Sequence, residues 1–312
     1  PGNAGIAEQA ELVPITAREF RRLADFAKSH RVELTVVGPE DPLAAGIVDY
    51  FEKEGLTVFG PMAAAARIEA SKSFAKRLMT RYSIPTGAYA EFEDPAAALS
   101  YVQSRGTPAV IKADGLAAGK GVTIAEDLAT AEEAIRRAMV ERCFGEAGAH
   151  VVIEERLVGE EASILAFTDG TIVLPMAVSQ DHKPVFDGDT GPNTGGMGAY
   201  SPAPVVTPEL FREIRETILE RCIKAMAQEG TPYRGVLYAG LMITSSGPKV
   251  VEFNCRFGDP ETQVVLPRLK GDLVPVLLAC CRGALDPIKL EWAPECCVSV
   301  VMASGGYPGP YE

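Results

Sequence analysis

The sequence is poor in positive charge. Its 312 residues include 30 lysines and arginines against 42 aspartates and glutamates, which gives a formal net charge of −12 at pH 7. Sequence-independent binding to nucleic acid depends on many lysine and arginine contacts to phosphates. We therefore expect no nucleic-acid partner, although a local basic cleft could still hold phosphate groups.

Long apolar runs are also missing. None approaches the ~20 residues that a helix needs to cross a bilayer. The start, Pro1–Asn3, lacks the charged and apolar regions of a signal peptide. We expect no membrane partner and a cytoplasmic location.

The seven cysteines form no recognisable metal or redox pattern. Two adjacent pairs occur, Cys280-Cys281 and Cys296-Cys297, but C-x-x-C spacing and cysteine–histidine clusters are absent. This argues against a structural zinc site and against a small fold held by disulfides, and it is typical of reduced, mostly buried thiols. A G-x-G-x-x-G turn after a strand is missing as well, which disfavours a Rossmann-type oxidoreductase.

The chain does contain enough apolar residues, 47% of the total, for two or three packed lobes. In residues 1–85, helical stretches alternate with the apolar runs Leu34–Gly38 and Leu56–Gly60, which indicates a Rossmann-like lobe with a parallel sheet. A helix precedes the first visible strand, so we expect that the opening βα unit is missing. Residues 86–155 predict a small lobe of strands and helices, and residues 156–312 predict a larger α+β lobe. The predicted fold class is multidomain, α/β followed by α+β.

A glycine-rich loop, Asp114–Gly121, lies between the apolar runs Ala109–Lys112 and Val122–Ala125. This pattern predicts a strand–loop–strand hairpin whose backbone N–H groups can approach phosphate oxygens. It is not a Walker A loop, because the glycine spacing is too short and a strand follows instead of a helix. An ordinary hairpin turn with a surface lysine is the alternative. Lys112 weakens that alternative, because an ammonium that ends an apolar strand needs an anionic partner, and with Lys120 it predicts one phosphate site.

The segment Val151–Glu161 is an apolar strand that ends in a carboxylate-rich turn. Such a turn can offer backbone groups to a nucleobase and a carboxylate to ribose hydroxyls. For Glu160, a solvated acidic residue is the favoured interpretation. Glu161 is the better candidate, because it begins the next apolar strand.

The segment Val250–Glu261 carries the most informative pattern. Glu252 and Asn254 are two residues apart on a strand, so their side chains point to the same face. Two oxygen ligands on one face suit Mg²⁺, which completes its coordination with phosphates and water. Arg256 continues that face with a guanidinium suited to a phosphoryl or carboxylate group. A solvated strand face is the alternative, and the adjoining Asp259–Glu261 turn argues against it.

The segment Gln180–Pro204 is rich in glycine and proline, and we expect it to be a long irregular loop with a function. Asp181–Lys183 begins it, and the string Asp189–Gly198 can form an anion-binding nest of backbone N–H groups. A plain flexible loop is the alternative, and the charged residues at its start favour function. His30 and His150 stand apart from these motifs, and we expect them to be structural.

Three strings in this order, Lys112–Gly121, Gly191–Tyr200 and Arg256–Gln263, resemble the glycinamide ribonucleotide synthetase family of ATP-grasp enzymes. The resemblance extends from Pro1 nearly to the end of the chain. It implies an ATP-grasp fold and the ATP-dependent ligation of glycine to 5-phosphoribosylamine in purine biosynthesis, through a glycyl phosphate. It also implies ATP with Mg²⁺ or Mn²⁺ as cofactors and small-molecule partners alone. We expect a monomer or a weak homo-oligomer.

The resemblance further implies roles for individual residues. The ATP phosphates would contact Lys72, Lys112, Gly115, Gly119, Lys120 and Gly121. Adenine would contact Glu154 and the backbone of Leu157, and ribose would contact Glu161. The metal ligands would be Glu252 and Asn254. The catalytic groups would be Arg256, Asp259 and Asp181, and the substrates would bind Asn193, Thr194, Gly195, Gly196, Met197 and Gly198.

The implied chemistry needs no protein nucleophile. Phosphoryl transfer to a carboxylate and amine attack on an acyl phosphate depend on positioning and charge neutralisation. An acyl phosphate hydrolyses in open water, so we expect the small lobe to act as a lid over ATP.

Two features depart from the family pattern. Relatives in the wider fold carry an acidic metal ligand on the strand before Glu252, but Tyr238–Met242 has none, so the number of metals stays open. A further C-terminal lobe is expected beyond Glu312. The alternatives are another ATP-grasp carboxylate–amine ligase and a nucleotide-binding module that has lost catalysis, and the intact lysines argue against the second.

Overall fold

The computed structural model describes residues 2–117, 121–188 and 190–309. In the N-terminal lobe two short strands pair in parallel, with Thr35 opposite Val58. This confirms the predicted helix–strand alternation, although each strand is shorter than the apolar run that predicted it. The elements of this lobe are α1 (Ala4–Ala7), α2 (Phe20–Ser29), β1 (Thr35–Val36), α3 (Glu40–Ala44), α4 (Ile47–Lys53), β2 (Val58–Phe59), α5 (Ala63–Ala70) and α6 (Lys72–Arg81).

The small lobe is a four-stranded antiparallel sheet in the order β3-β6-β4-β5, packed against two helices. Its elements are β3 (Tyr89–Phe92), α7 (Pro95–Arg105), β4 (Ala109–Ala113), β5 (Val122–Ala125), α8 (Leu128–Ile135) and β6 (Val151–Glu155). Asp94 begins α7 by accepting hydrogen bonds from the N–H groups of Ala96 and Ala97, both at 3.2 Å. The helix predicted to start near Ala129 continues past α8 as a π-helical turn, Arg136–Val140.

The small lobe has a hydrophobic core of its own. Ile111 and Ile153 from the sheet pack with Val102 and Ile135 from the helices, and all members of this cluster among the described residues belong to the small lobe. A lobe with a separate core can move as a unit against its neighbours. This arrangement supports the expectation of a lid.

The large lobe is built on a second antiparallel sheet, in the order β14-β13-β7-β8. Its elements are β7 (Glu160–Thr168), β8 (Val173–Pro175), β9 (Gln180–Asp181), β10 (Pro184–Phe186), β11 (Thr190–Asn193), β12 (Gly198–Ser201), α9 (Pro208–Ile214), α10 (Glu220–Gln228), β13 (Gly235–Thr244), β14 (Gly247–Asn254), α11 (Thr262–Val265), β15 (Leu269–Lys270), α12 (Leu273–Arg282), β16 (Glu291–Trp292) and β17 (Cys297–Val300). In the part of the chain that the structure describes, none of the helices has the length and apolar character of a membrane span.

Strands β7 and β13 are buried on both faces. Ile164 and Leu237 face a core that they share with Leu43 and Phe51 of the N-terminal lobe, while Phe167 faces the opposite core. Two-sided burial explains why these strands contain nearly continuous apolar residues instead of an alternating pattern. The N-terminal and large lobes therefore form one packed body.

The segment Gln180–Pro204 is not the irregular loop that we expected. It contains four short strands: β10 and β11 form an antiparallel hairpin, and β12 lies between β9 and β17. Strands of two to four residues without alternating apolar side chains leave almost no signal in a sequence. Gly198 illustrates the point, because a Cβ there would lie 2.4 Å from the backbone oxygen of Ser299. Glycine at this position permits strand pairing and does not mark flexibility.

Candidate active site

Most of the side chains singled out in the sequence meet at a cavity of about 210 Å³ between the three lobes. Helix α6 supplies Lys72, β4 supplies Lys112, and β14 supplies Glu252. The predicted site residues that line the cavity are Lys72, Lys112, Gly115, Gly121, Glu154, Asp181, Thr194, Gly195, Glu252, Asn254, Arg256 and Asp259. Gly119 and Lys120 lie outside the described residues.

Lys72 is the first residue of α6, and its ammonium donates a hydrogen bond to the backbone oxygen of Gly115 at 3.2 Å. Asp114 fixes the glycine-rich loop to the same helix end. Its carboxylate accepts hydrogen bonds from the N–H group of Ser73, at 3.1 Å, and from the Ser73 hydroxyl. Burial lowers the pKa of Lys72, and the nearby Glu252 carboxylate opposes that shift. An ammonium that lacks water is suited to bind phosphate oxygens.

Gly115 and Gly121 are required by close packing at the two ends of the loop. A Cβ on Gly115 would lie 2.5 Å from the Cβ of Ala147, and a Cβ on Gly121 would lie 2.7 Å from the Cβ of Ala117. Non-bonded carbon atoms do not approach each other this closely in proteins. The absence of side chains at these two positions therefore sets the path of the loop beside the cavity.

Glu154 is the centre of a buried ion network. The ammonium of Lys112 is 2.9 Å from its Oε1 and that of Lys76 is 2.7 Å from its Oε2. Lys112 also donates to the backbone oxygen of Val251 at 3.1 Å. Sequence analysis missed Lys76, because a lysine one turn after Lys72 in an amphipathic helix resembles a surface residue. In the structure Lys76 is only 2% exposed.

Glu252 and Asn254 both line the cavity from β14. Burial disfavours the charged form of Glu252, but three lysines outweigh this effect and lower the pKa of the carboxyl group. These lysines are Lys183, Lys112 and Lys72. An ionised carboxylate beside an amide oxygen fits a hard divalent cation that takes its remaining ligands from phosphates and water.

The neighbouring strand adds no side-chain ligand directly opposite Glu252, because Gly240 of β13 lies there. Across residues 2–117, 121–188 and 190–309, no group of three or more histidine, cysteine, aspartate or glutamate residues could hold a metal ion. A cation here would therefore depend on the nucleotide for much of its coordination.

Lys183 joins two acidic residues beside the cavity. Its ammonium is 3.0 Å from Oε2 of Glu161 and 3.6 Å from Oδ2 of Asp181. Burial alone would lower the pKa of Lys183, but the charges of Asp181 and Glu161 outweigh it and raise the pKa well above its ordinary value. Oδ1 of Asp181 is buried and has no hydrogen-bond partner among the described residues. Such an oxygen favours a ligand that carries an ammonium or another N–H donor.

Glu261 is a further buried acid of the cavity, and sequence analysis gave it no role. Its Oε1 accepts hydrogen bonds from the hydroxyls of Tyr238, at 2.9 Å, and Ser163, at 3.4 Å. Burial and the charge of Asp181 raise its pKa. The sequence feature that could have identified Glu261 is its position in the Asp259–Glu261 turn, next to Arg256.

Arg256 lines the cavity, but its guanidinium is held by carboxylates of the N-terminal lobe. Nε is 3.5 Å from Oε2 of Glu40, and Nη2 is 3.6 Å from Oε1 of Glu69. Glu69 also accepts a hydrogen bond from the N–H group of Cys255 at 2.7 Å. Asp259 is exposed at the edge of the cavity, and its Oδ1 accepts a hydrogen bond from the Gln263 amide at 2.6 Å. Arg256 therefore links two lobes in addition to facing the site.

Several predicted contacts lie beside the cavity instead of lining it. Those from the Asn193–Gly198 string are Asn193, Gly196, Met197 and Gly198. Gly196 packs on the turn after β14, where a Cβ would lie 2.4 Å from Cδ of Pro260. Leu157 and Glu161 also do not line it, and Glu161 reaches it through Lys183.

Two family models match this chain. The model of the phosphoribosylglycinamide synthetase N domain matches residues 1–69, and that of the phosphoribosylglycinamide synthetase ATP-grasp (A) domain matches residues 70–262. Similar curated proteins carry the name phosphoribosylamine–glycine ligase. Those of Vibrio parahaemolyticus and Escherichia coli strain K12 are each 54% identical over 315 residues, which cover 100% of this chain and 73% of the relative.

Solved structures agree with the family models. The crystal structure of phosphoribosylamine–glycine ligase from Thermotoga maritima matches with a TM-score of 0.85 and 33% identity, over 100% of this chain and 75% of that chain. A complex of biotin carboxylase with β,γ-ATP from Campylobacter jejuni matches with a TM-score of 0.70 and 17% identity, over 85% of this chain and 58% of that one. At this identity the second match is evidence for the fold alone. The predicted ATP-grasp fold is confirmed.

Proposed function

This chain belongs to the phosphoribosylglycinamide synthetase family, and from that premise we propose how its site works as an ATP-dependent phosphoribosylamine–glycine ligase of purine biosynthesis. The reaction joins glycine to 5-phosphoribosylamine and gives glycinamide ribonucleotide, ADP and phosphate. All three substrates are anionic or carry an anionic group. A cavity that gathers lysines from several elements is suited to hold them together.

ATP occupies the space between the small lobe and the rest of the chain. Lys72 and Lys112 bind its phosphates, together with backbone N–H groups at Gly115 and Gly121. Glu154 and the backbone of Leu157 contact adenine, and Glu161 contacts ribose. The positions of the two lysines support this proposal, because Lys112 is buried and Lys72 is partly buried beside the cavity, and ammonium groups there are stabilised by anionic ligands.

Glu252 and Asn254 hold the divalent cation that accompanies ATP, which is Mg²⁺ or Mn²⁺. When bound, the cation neutralises charge on the phosphates. The lowered pKa of Glu252 supports the assignment, because the carboxylate stays ionised despite its burial.

The chemistry has two halves. A carboxylate oxygen of glycine attacks the γ-phosphorus of ATP, the bond from phosphorus to the bridging oxygen breaks, and ADP leaves with the bonding electrons. The amine of phosphoribosylamine then attacks the acyl carbon of glycyl phosphate, the carbon–oxygen bond to phosphate breaks, and the attacking nitrogen loses a proton. No side chain forms a covalent bond in either half, so the site contributes by orientation and charge.

We assign the substrate positions from the unpaired and charged groups of the site. Asp181 binds the ammonium of glycine, because its Oδ1 lacks a donor. Arg256 faces the carboxylate end, where negative charge is transferred. Asp259 and the Asn193–Gly198 string at the open edge receive phosphoribosylamine. The small lobe closes over ATP and keeps water from the acyl phosphate.

One observation carries the proposal: Lys72 and Lys112, from different lobes, line the same cavity as Glu252 and Asn254. The test replaces phosphoribosylamine with hydroxylamine, which traps an acyl phosphate as a hydroxamate. ATP, Mg²⁺ and glycine should then give ADP and glycyl hydroxamate in equal amounts. ADP release without glycine, or equal hydroxamate yields from other amino acids, would contradict the proposal.

A further inference from the structure

Glu154 has two buried cationic partners where one would neutralise it. Lys112 and Lys76 approach different oxygens of the same carboxylate, at 2.9 and 2.7 Å. All three side chains are at most 6% exposed. A buried carboxylate needs one compensating charge. The second lysine is therefore not required for neutralisation, although its burial costs desolvation free energy.

Each lysine makes one hydrogen bond besides its contact with Glu154, Lys112 to the backbone oxygen of Val251 at 3.1 Å, and the two lysines differ in their remaining contacts. Lys76 donates a second hydrogen bond to Oγ1 of Thr86 at 2.8 Å, and Thr86 donates in turn to the backbone oxygen of Val250 at 2.8 Å. The Lys76 ammonium also lies 5.7 Å from the ring centroid of Tyr89. Lys76 therefore belongs to a fixed chain of contacts that joins α6 to β14.

Lys112 is placed to change partner. It ends β4 immediately before the glycine-rich loop and lines the cavity together with Lys72 and Glu252. Under the proposed function its ammonium turns to the ATP phosphates. Glu154 would then lose one of its two cations while remaining buried.

We infer that Lys76 is a positioning residue for the nucleotide site, which holds the Glu154 carboxylate in place and supplies its cationic partner when ATP draws Lys112 to its phosphates. Without Lys76, Glu154 would retain Lys112 as its only cation, and ATP would have to compete with a buried carboxylate for that lysine. The inference rests on the proposed contact of Lys112 with ATP. It assigns Lys76 no contact with the nucleotide.

The test is a double-mutant cycle of Mg-ATP binding, measured by calorimetry on the full chain with K76M, E154Q and K76M/E154Q. K76M should weaken binding roughly tenfold, which is within the range for residues of one salt-bridge network. On the E154Q background the same substitution should change affinity by less than about twofold, because no carboxylate remains to retain Lys112. In steady-state assays K76M should raise the KM for ATP and leave the KM for glycine unchanged.

Two further variants separate charge from packing. K76R, which keeps the cation, should bind Mg-ATP more tightly than K76M. Lys249 is the matched control, because it pairs with the adjacent Glu155 at 3.0 Å but is partly exposed, and K249M should bind as the unmodified chain does. If circular dichroism shows that K76M does not fold, K76Q replaces it in the cycle.

Equal losses from the lysine substitution on both backgrounds would overturn the inference, since they would show that Lys76 acts through packing or by direct contact. Unchanged affinity in K76M would overturn it as well. Lys112→Ala distinguishes failure of the inference from failure of the proposed function. If Lys112→Ala leaves ATP affinity intact, the assignment of the phosphate site is wrong; if it weakens binding while the cycle shows no coupling, only the role of Lys76 is wrong.

Discussion

The ammonium of Lys183 lies 3.0 Å from a carboxylate oxygen of Glu161, and this pair connects the proposed ribose contact with the acidic side of the cavity. On its other side Lys183 faces Asp181 at 3.6 Å. One cation thus serves two carboxylates and also acts on Glu252. The Lys183 ammonium therefore offsets much of the negative charge that these carboxylates bring to the site.

We predict that Lys183→Met lowers kcat/KM by about 100-fold, the lower end of the loss caused by removing one donor near developing negative charge. Without the ammonium, the carboxylates of Asp181 and Glu161 repel the phosphates of ATP and the carboxylate of glycine. The measurement is steady-state kinetics with each substrate varied in turn. Lys28→Met is the control, because Lys28 pairs with Glu54 on the surface, and a similar loss in that variant would contradict a specific role for Lys183.

A second prediction concerns the glycine-rich loop. Gly115→Ala places a Cβ 2.5 Å from the Cβ of Ala147, so residue 115 and Ala147 must move apart, and we expect the hydrogen bond from Lys72 to the backbone oxygen of residue 115 to lengthen. We expect the KM for ATP to rise about tenfold, which corresponds to about 1.4 kcal/mol. Gly38→Ala is a suitable control, since a Cβ at that position meets no atom within 4 Å. Equal KM values in the two variants would show that the path of the loop does not matter for ATP.

The parts of the site that could be predicted from sequence are those set by local geometry. Glu252 and Asn254 share a face because side chains alternate along a strand, and Lys112 ends an apolar strand before a glycine loop. No tertiary information is needed for either inference. The structure brings all three to the cavity.

The parts that could not be predicted depend on contacts between segments that are distant in sequence. Glu40 and Glu69 approach Arg256 only because the N-terminal lobe packs on the large sheet. Lys76 is buried only because β6 and the segment around Thr86 cover that side of α6. A periodicity argument assigns such residues to the surface, since it considers one element at a time.

A third prediction uses the raised pKa of Glu261, which follows from burial and from the charge of Asp181. In the unfolded chain its carboxyl group has an ordinary pKa near 4.5, so between that value and the folded pKa the folded state holds the extra proton. The contribution of Glu261 to stability is therefore present at low pH and is lost as the pH rises through the folded pKa. Glu261→Gln, which stays neutral, should be more stable than the unmodified chain above that window.

Chemical denaturation across the pH range measures this difference. The stability of Glu261→Gln minus that of the unmodified chain should increase with pH from about 4.5 upwards and then level off. Gln263→Glu does not test this, because residue 263 lies in α11 with an exposed side chain. A difference that does not change with pH would show that the carboxyl of Glu261 has the same pKa in the folded and unfolded states.

The last prediction separates the metal site from the link between lobes. Glu252→Gln keeps the shape of a metal ligand but removes its charge, so we expect Mg²⁺-dependent binding of ATP to be lost whether or not glycine is present. Arg256→Gln should retain Mg-ATP binding and lose about 2 to 4 kcal/mol of transition-state stabilisation in glycine-dependent phosphate release.

The structure adds a second consequence for Arg256→Gln, because the Glu69 side chain is only 9% exposed and would lose its cationic partner. We expect a loss of about 1 to 3 kcal/mol in the free energy of unfolding, which is the usual effect of leaving a buried polar group unpaired. Combining Arg256→Gln with Glu69→Gln should then recover much of the stability without restoring phosphate release, because the new amide cannot replace the guanidinium at the transferring group. If the double variant regains activity together with stability, Arg256 serves only to join the lobes, and its assignment to catalysis is wrong.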